Sequence, residues 1–170
     1  MAKANRSGQV QLIFLVGMPA VGKTYWGNKI AAEYKVPFVD LDVFIAQQEK
    51  ASISALFAMY GENGFREREQ TYLGKIIKSA TTTTIIGCGG GTPCFNDNLE
   101  LMKRSGTVVY LQADISWILN NLKNSKEIRP LLNNRPLFAR CRPMVAFGKP
   151  GRGNVRRRVF TRRPRLSVTG

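Results

Sequence analysis

The sequence predicts an α/β fold in which a mostly parallel sheet carries helices on both faces. Three observations support this. Short apolar, β-branched runs at residues 10–16, 38–42, 81–86 and 107–111 alternate with stretches of helical character, the pattern of βαβ units. The first run is almost wholly apolar, as in a strand buried on both faces of a parallel sheet. Two runs end in glycine-rich loops, GMPAVGKT at 17–24 and GCGGGTP at 87–93, and in open parallel sheets the carboxyl ends of the strands line the ligand crevice.

The elements follow in order. Val10 to Val16 is strand one. Thr24 to Tyr34 continues as a helix with Trp26, Ile30 and Ala31 on one side, stopped by Lys35-Val36-Pro37 because proline cannot extend it. Phe38 to Asp42 reads as strand two. Asp42 to Gln48 and Ser52 to Tyr60 read as short helices, with Ser52 or Ser54 as a cap and Gly61 and Gly64 bracketing a turn. Phe65 to Ala80 is a longer helix with Tyr72, Leu73, Ile76 and Ile77 as its apolar face. Thr81 to Ile86 is strand three, β-branched throughout. Asn98 to Ser105 is a helix closed by Gly106, Thr107 to Leu111 strand four, and Ile115 to Leu122 a further helix.

At 170 residues and 44% hydrophobic, the chain is long enough for one domain with a substantial core. It has no apolar stretch of membrane-spanning length, and MAKANRSGQVQ lacks the layout of a secretion signal. No membrane role and a cytoplasmic location are expected. Cys88, Cys94 and Cys141, with no C-x-x-C pair and no histidine, suggest free thiols rather than a zinc site or disulfide framework. The net charge of +15 ordinarily points to nucleic acid, but its distribution does not. Residues 1–134 hold 15 basic against 11 acidic side chains, whereas residues 135–170 hold 11 basic and none acidic.

GMPAVGKT fits G-x-x-x-x-G-K-[ST] in a strand-to-helix setting. Gly17 and Gly22 let the backbone curl so that its N–H groups face phosphate oxygens, reinforced by the helix dipole. Lys23 would reach the β/γ-phosphates and Thr24 would hold Mg²⁺. Asp40 and Asp42, two apart at the end of strand two, project to one face of an extended chain. They could orient a hydroxyl, accept its proton or hold metal-bound water, or be a helix cap plus a surface charge. Arg66, at the expected helix start, could clamp a carboxylate through paired hydrogen bonds; with Glu67, Arg68 and Glu69 it could equally form a solvated face. Glu69 could also hold Arg66 from one turn away. Gly89-Gly90-Gly91 allows close ligand approach to the backbone. Arg129, in RPLL, belongs either to a mobile lid that steadies transferring phosphoryl charge or to an ordinary exposed loop.

Taken together, GMPAVGKT, FVDLD, GFRERE, GCGGGTP and IRPLL, in this order and spacing, resemble the shikimate kinase family over about residues 10–134. The resemblance implies a three-layer P-loop kinase fold, like that of nucleoside monophosphate kinases, with a five-stranded parallel sheet. It implies transfer of the ATP γ-phosphate to the 3-hydroxyl of shikimate in aromatic amino-acid synthesis, by a monomer. Carried over by motif, the amides of Pro19, Ala20, Val21, Gly22, Lys23 and Thr24 surround the phosphates, and Thr24 ligates Mg²⁺. Asp42 binds shikimate hydroxyls, Asp40 sits near the metal and the attacking oxygen, and Arg66 grips the carboxylate. The backbone of Gly89 and Gly90 lines the ring, and Arg129 is the lid arginine. A kinase for another hydroxylated acid such as gluconate is the near alternative.

The chain departs from the family twice. Ala20 stands where the family usually has glycine, a change the phosphate-binding amides survive if the backbone angle there is negative. After the lid, the family's helix with a second shikimate-binding arginine, its last strand and its adenine loop are not recognisable. Residues 135–170 instead hold Pro136, Pro143, Pro150 and Pro164 among eleven basic residues. Arg135, Arg140, Arg142 and Arg163 are candidates for the missing contacts, but no motif selects among them. The domain expected is therefore 1–134. The tail reads as a divergent terminus, a basic arm that binds nucleic acid, or a segment outside the family's reading frame, the last being favoured by the abrupt change in composition.

Overall fold

The computed structural model describes residues 10–114, 116 and 118, together with the backbone of 156–160. In chain order these give β1 (Leu12–Gly17), α1 (Lys23–Tyr34), β2 (Phe38–Asp40), α2 (Leu41–Glu49), α3 (Ile53–Ser79), β3 (Thr84–Gly87), a 3₁₀ turn (Thr92–Cys94), α4 (Asn98–Ser105), β4 (Gly106–Gln112) and β5 (Arg156–Phe160). The sheet order is β2-β3-β1-β4-β5. Strands β1 to β4 run parallel, as the apolar runs predict.

β5 differs from the expected all-parallel sheet of five. It pairs antiparallel with β4, from Val108 opposite Phe160 to Gln112 opposite Arg156, as edge strands of otherwise parallel sheets often do. Its residues belong to the 135–170 segment. Of the helix expected at 115–122, residues 116 and 118 are helical and the rest lies outside the described residues.

Alternation along the strands builds two cores. Leu12, Phe14 and Val16 of β1, Ile86 of β3, and Val108 and Tyr110 of β4 face a larger cluster with Leu41, Ile45, Leu56, Phe65, Leu73 and Met102 from α2, α3 and α4. Leu15 and Ile85 point the other way, onto Ala31 of α1, with Ile13, Phe38 and Val109 around them. This is the two-sided burial that near-continuous apolar strands require. Of the expected free thiols, Cys88 is free and buried, Cys94 is disulfide-bonded, and Cys141 lies outside the described residues.

Two local expectations change. β2 stops at Asp40, which caps α2 by accepting from the amides of Asp42 and Val43, so the strand ends two residues early and the helix starts one residue early. The helices expected at 52–60 and 65–80 make up α3 as two helices meeting at a kink at Gly61 (φ 65°, ψ −175°), a conformation nearly restricted to glycine. Gly64 is helical rather than the second bracket of a turn. Ser52 is the cap, its Oγ accepting from Ala55 N at 3.1 Å.

The strand order places a switch point between β1 and β3: the chain leaves β1 for β2, returns to β3 beside β1, then crosses to β4 on the far side. The carboxyl ends of β1 and β3 therefore diverge into a crevice. No helix among the described residues is long and apolar enough to cross a membrane.

Phe14 is fully buried in the larger core. Phe14→Ala is expected to lower the unfolding free energy by about 3–5 kcal/mol in urea titration, while Tyr34→Ala, at an exposed site, stays within about 0.5 kcal/mol. Similar losses for both would contradict this division of core and surface.

Candidate active site

The phosphate loop leaves β1 at Gly17 and enters α1 through Gly22, whose φ of 89° makes it a left-handed N-cap. Lys23 folds back over the loop: its Nζ donates to Gly17 O and Met18 O at 2.9 Å each. Val21 is completely buried, and its amide donates to Met18 O at 3.3 Å, so it secures the loop from beneath. Pro19 lies against the glycine turn described below. Ala20 has φ 61°. The negative angle under which alanine is readily tolerated there is not the one observed; the loop needs a left-handed residue at this position, and alanine adopts that geometry at a cost.

Asp40 and Asp42 reach the crevice by a route other than a shared strand face. Asp40, at the end of β2, uses Oδ1 to cap α2 and accepts from Thr24 Oγ1 on Oδ2 at 2.8 Å. It is thus the helix cap of the plainer reading and also a partner of the phosphate loop. Asp42 lies in the first turn of α2 and faces a cluster of Glu69, Asp40, Lys23 and Arg66 charges. Burial first, then Glu69 and Asp40, push its carboxyl from the ordinary 3.8 up to about 6, against the opposing pull of Lys23 and Arg66.

Arg66 lies near the start of the second half of α3, little more than one turn past the Gly61 break. It is not solvated, being 2% exposed beside Glu69 at 1%. Its Nη1 donates to Glu69 Oε2 at 2.5 Å and its Nη2 contacts Glu62 Oε1 at 3.4 Å. The Phe95 ring lies 4.4 Å from the guanidinium carbon. Glu69 Oε1 accepts from Thr92 Oγ1 at 2.6 Å. Burial pushes the Glu69 carboxyl up, while the Arg66 charge and the Thr92 hydrogen bond pull it back. Arg66 Nε is buried without a hydrogen-bond partner among the described residues.

The glycine turn joins these parts. A methyl group at Gly89 would stand 3.0 Å from Thr92 Oγ1, 3.1 Å from Glu69 Oε1 and 3.2 Å from Asp42 Oδ1; at Gly90 it would strike Pro19 at 2.7 Å, and at Gly91 the Arg66 Nη2 at 2.7 Å. Side chains would crowd this turn because one backbone segment touches the phosphate loop, the acidic residue and the arginine at once.

Thr24 Oγ1 and Asp40 Oδ2 place two hard oxygen donors next to the phosphate loop, a set that fits Mg²⁺ when phosphates and water complete the shell. No group of three or more acidic, cysteine or histidine ligands occurs among the described residues. Arg129 lies outside the described residues. The structure thus brings together Pro19, Ala20, Val21, Gly22, Lys23, Thr24, Asp40, Asp42, Arg66, Gly89 and Gly90. Sequence reading gave no role to Glu62, Thr92 or Phe95, whose contacts with Arg66 and Glu69 include partners far away along the chain. Glu69 was visible only through its one-turn spacing from Arg66.

A phosphate loop at the switch point of a parallel sheet, facing a carboxylate and a buried arginine, defines a P-loop small-molecule kinase. The chain belongs to the shikimate kinase family, whose model, described as "Shikimate kinase", matches residues 19–162. It is 44% identical over 123 residues to a shikimate kinase of Alkaliphilus oremlandii, covering 72% of each chain. Among solved structures, shikimate kinase from Bacteroides thetaiotaomicron superposes with a TM-score of 0.71 at 33% identity, covering 81% of both chains. Shikimate kinase from Acinetobacter baumannii in complex with shikimate gives 0.69 at 30% identity, covering 82% of this chain and 76% of that one.

Two predictions follow from the site's geometry. Ala20→Gly relieves the left-handed alanine at the cost of a more flexible unfolded chain, and is expected to raise the unfolding free energy by about 0.5–1 kcal/mol; a loss of stability would contradict the positive φ. Asp42 binds its proton more tightly folded than unfolded, so its contribution to stability falls as pH rises from 3.8 through about 6. Asp42→Asn is therefore expected to be more stable than the parent at pH 7, by an amount on the order of 1–3 kcal/mol, with the gap closing below pH 4. Paired thermal melts across that range check it, and a destabilised variant at pH 7 would overturn it.

Proposed function

We propose that the chain transfers the γ-phosphoryl group of ATP to the 3-hydroxyl of shikimate. The observation that carries this reading is the Gly89–Gly91 turn, which abuts the phosphate loop at Pro19 and the Asp42, Glu69 and Arg66 side chains at its other contacts. Donor phosphates and a carboxylated, hydroxylated acceptor would thereby meet across one backbone segment. The shikimate kinases among the relatives favour shikimate over gluconate.

In this mechanism the loop amides of residues 19–24 and the Lys23 ammonium hold the ATP phosphates. Thr24, with Asp40 beside it, holds Mg²⁺, which neutralises phosphate charge when bound. Asp42 accepts hydrogen bonds from the acceptor hydroxyls, and Asp40 lies on the side from which the attacking oxygen loses its proton. Arg66 grips the acceptor carboxylate; its buried, unpartnered Nε supports that role, since a buried donor without an acceptor is costly. Gly89 and Gly90 present backbone to the ring, and Arg129 closes over the phosphates. Phosphoryl transfer needs positioning and charge stabilisation more than covalent chemistry, and Cys88, whose thiol burial pushes up, is no candidate nucleophile. In this reading residues 1–134 carry the named site residues, and the basic 135–170 segment adds the edge strand β5 to the same sheet.

ADP release coupled to shikimate addition tests the proposal. Shikimate-dependent turnover is expected, with kcat reduced about 100-fold or more in Lys23→Met and the shikimate KM raised roughly 10- to 100-fold in Arg66→Ala. Below pH 6 the parent's kcat/KM for shikimate should fall as Asp42 takes up its proton. A folded sample without shikimate-dependent ADP release would sink the reading.

A further inference from the structure

We infer that Thr92 is a positioning residue for the acceptor site: through Glu69 it fixes the Arg66 guanidinium, and so sets the preference for a carboxylated acceptor. The inference rests on the proposed role of Arg66 as carboxylate clamp. Thr92 is completely buried in the 3₁₀ turn that follows the three glycines, and every polar group it carries is engaged. Its amide donates to Gly89 O at 3.2 Å, its carbonyl accepts from Asn98 Nδ2 at 3.0 Å, and its hydroxyl donates to Glu69 Oε1 at 2.6 Å. A β-branched side chain pinned on both backbone sides has little rotamer freedom, so the direction of that hydroxyl is set by the turn.

Glu69 has two carboxylate oxygens and uses both, Oε1 on Thr92 and Oε2 on Arg66 Nη1. Without the Thr92 donor, the carboxylate keeps a single side-chain anchor and is free to rotate about its last bond, carrying the Arg66 contact with it. The chain after Thr92 supports the same arginine. Phe95 lies against the guanidinium at 4.4 Å, Asn96 Nδ2 donates to Arg66 O at 3.1 Å, and Gln70 Nε2 donates to Asn96 O at 2.7 Å. The segment from Thr92 to Asn98 therefore braces α3 at the residue that faces the acceptor. Thr92 itself is completely buried and commits its hydroxyl to Glu69. Its effect is transmitted by one carboxylate, as outer hydrogen-bond partners orient the groups that touch a ligand.

The test compares the full chain with Thr92→Val, which keeps shape and loses the donor, and Thr92→Ser, which keeps the donor. Thr92→Ala replaces Val if the latter does not fold. Arg66 side-chain ¹⁵N signals and steady-state kinetics are read together. In Thr92→Val the Arg66 Nη signals should broaden or merge as guanidinium rotation is released. The KM for shikimate should rise roughly tenfold, while the KM for ATP and kcat change less than about twofold. The preference for shikimate over its analogue with hydrogen in place of the carboxylate should shrink by the same factor, and Thr92→Ser should restore all three readouts. Unchanged Arg66 signals in Thr92→Val, a serine variant that behaves like valine, or an equal rise in the KM for ATP would overturn the inference. Altered Arg66 signals with an unchanged shikimate KM would instead overturn the clamp role on which it rests, leaving the Thr92–Glu69–Arg66 coupling supported.

Discussion

The site depends on a buried ion pair. Removing the Arg66 guanidinium and the Glu69 carboxylate from water costs several kcal/mol per ion, and their attraction offsets that only if the remaining hydrogen-bonding groups are satisfied. The neighbourhood is built to meet that condition. Thr92 completes Glu69, Glu62 takes the second Arg66 nitrogen, and Phe95 covers the guanidinium face. Arg66 Nε is buried and has no hydrogen-bond partner among the described residues.

The glycine turn then follows from space rather than from flexibility. Its three residues pass between the phosphate loop, Asp42 and the ion pair, where a Cβ would strike Pro19 at Gly90, displace the Arg66 guanidinium at Gly91 and crowd Thr92, Glu69 and Asp42 at Gly89. Because β1 and β3 are neighbours in the sheet, the loops that follow them must meet, and the contact between Gly90 and Pro19 is the consequence. Asp42 shows the cost of assembling such a site. Its carboxyl shares a poorly hydrated region with Glu69 and Asp40, offset in part by Lys23 and Arg66. Ala20 is a second concession, a side chain held in a left-handed conformation at the bend of the phosphate loop.

Much of this was legible from residue order. The apolar runs located all four parallel strands, and the glycine-lysine loop located the phosphate site, because both signals are local. The same local reasoning misplaced β2 and α2. An extended FVDLD puts both acids on one face, but Asp40 caps a helix instead, and the capping bonds to Asp42 and Val43 outweigh two more residues of strand. It also left the charged run after Gly64 open between a carboxylate clamp and a solvated face. The helix does resume after the Gly61 break, but burial of Arg66 and Glu69 depends on Thr92 and Phe95 from beyond β3, which no window around residue 66 contains.

The sequence by itself determined the chain's class: strand periodicity, the phosphate loop, and the ordered motifs that tie it to the shikimate kinases. These are properties of short segments whose backbone preferences and hydrogen-bonding groups act within a few residues. Only the tertiary structure decided which charges are buried, which carboxylate caps and which one faces the crevice, and why three consecutive glycines are needed. It also decided that the fifth strand runs antiparallel to β4. Those outcomes turn on desolvation and on close contacts between residues 20 to 70 positions apart, and such terms exist only once the sheet has brought its strand ends together.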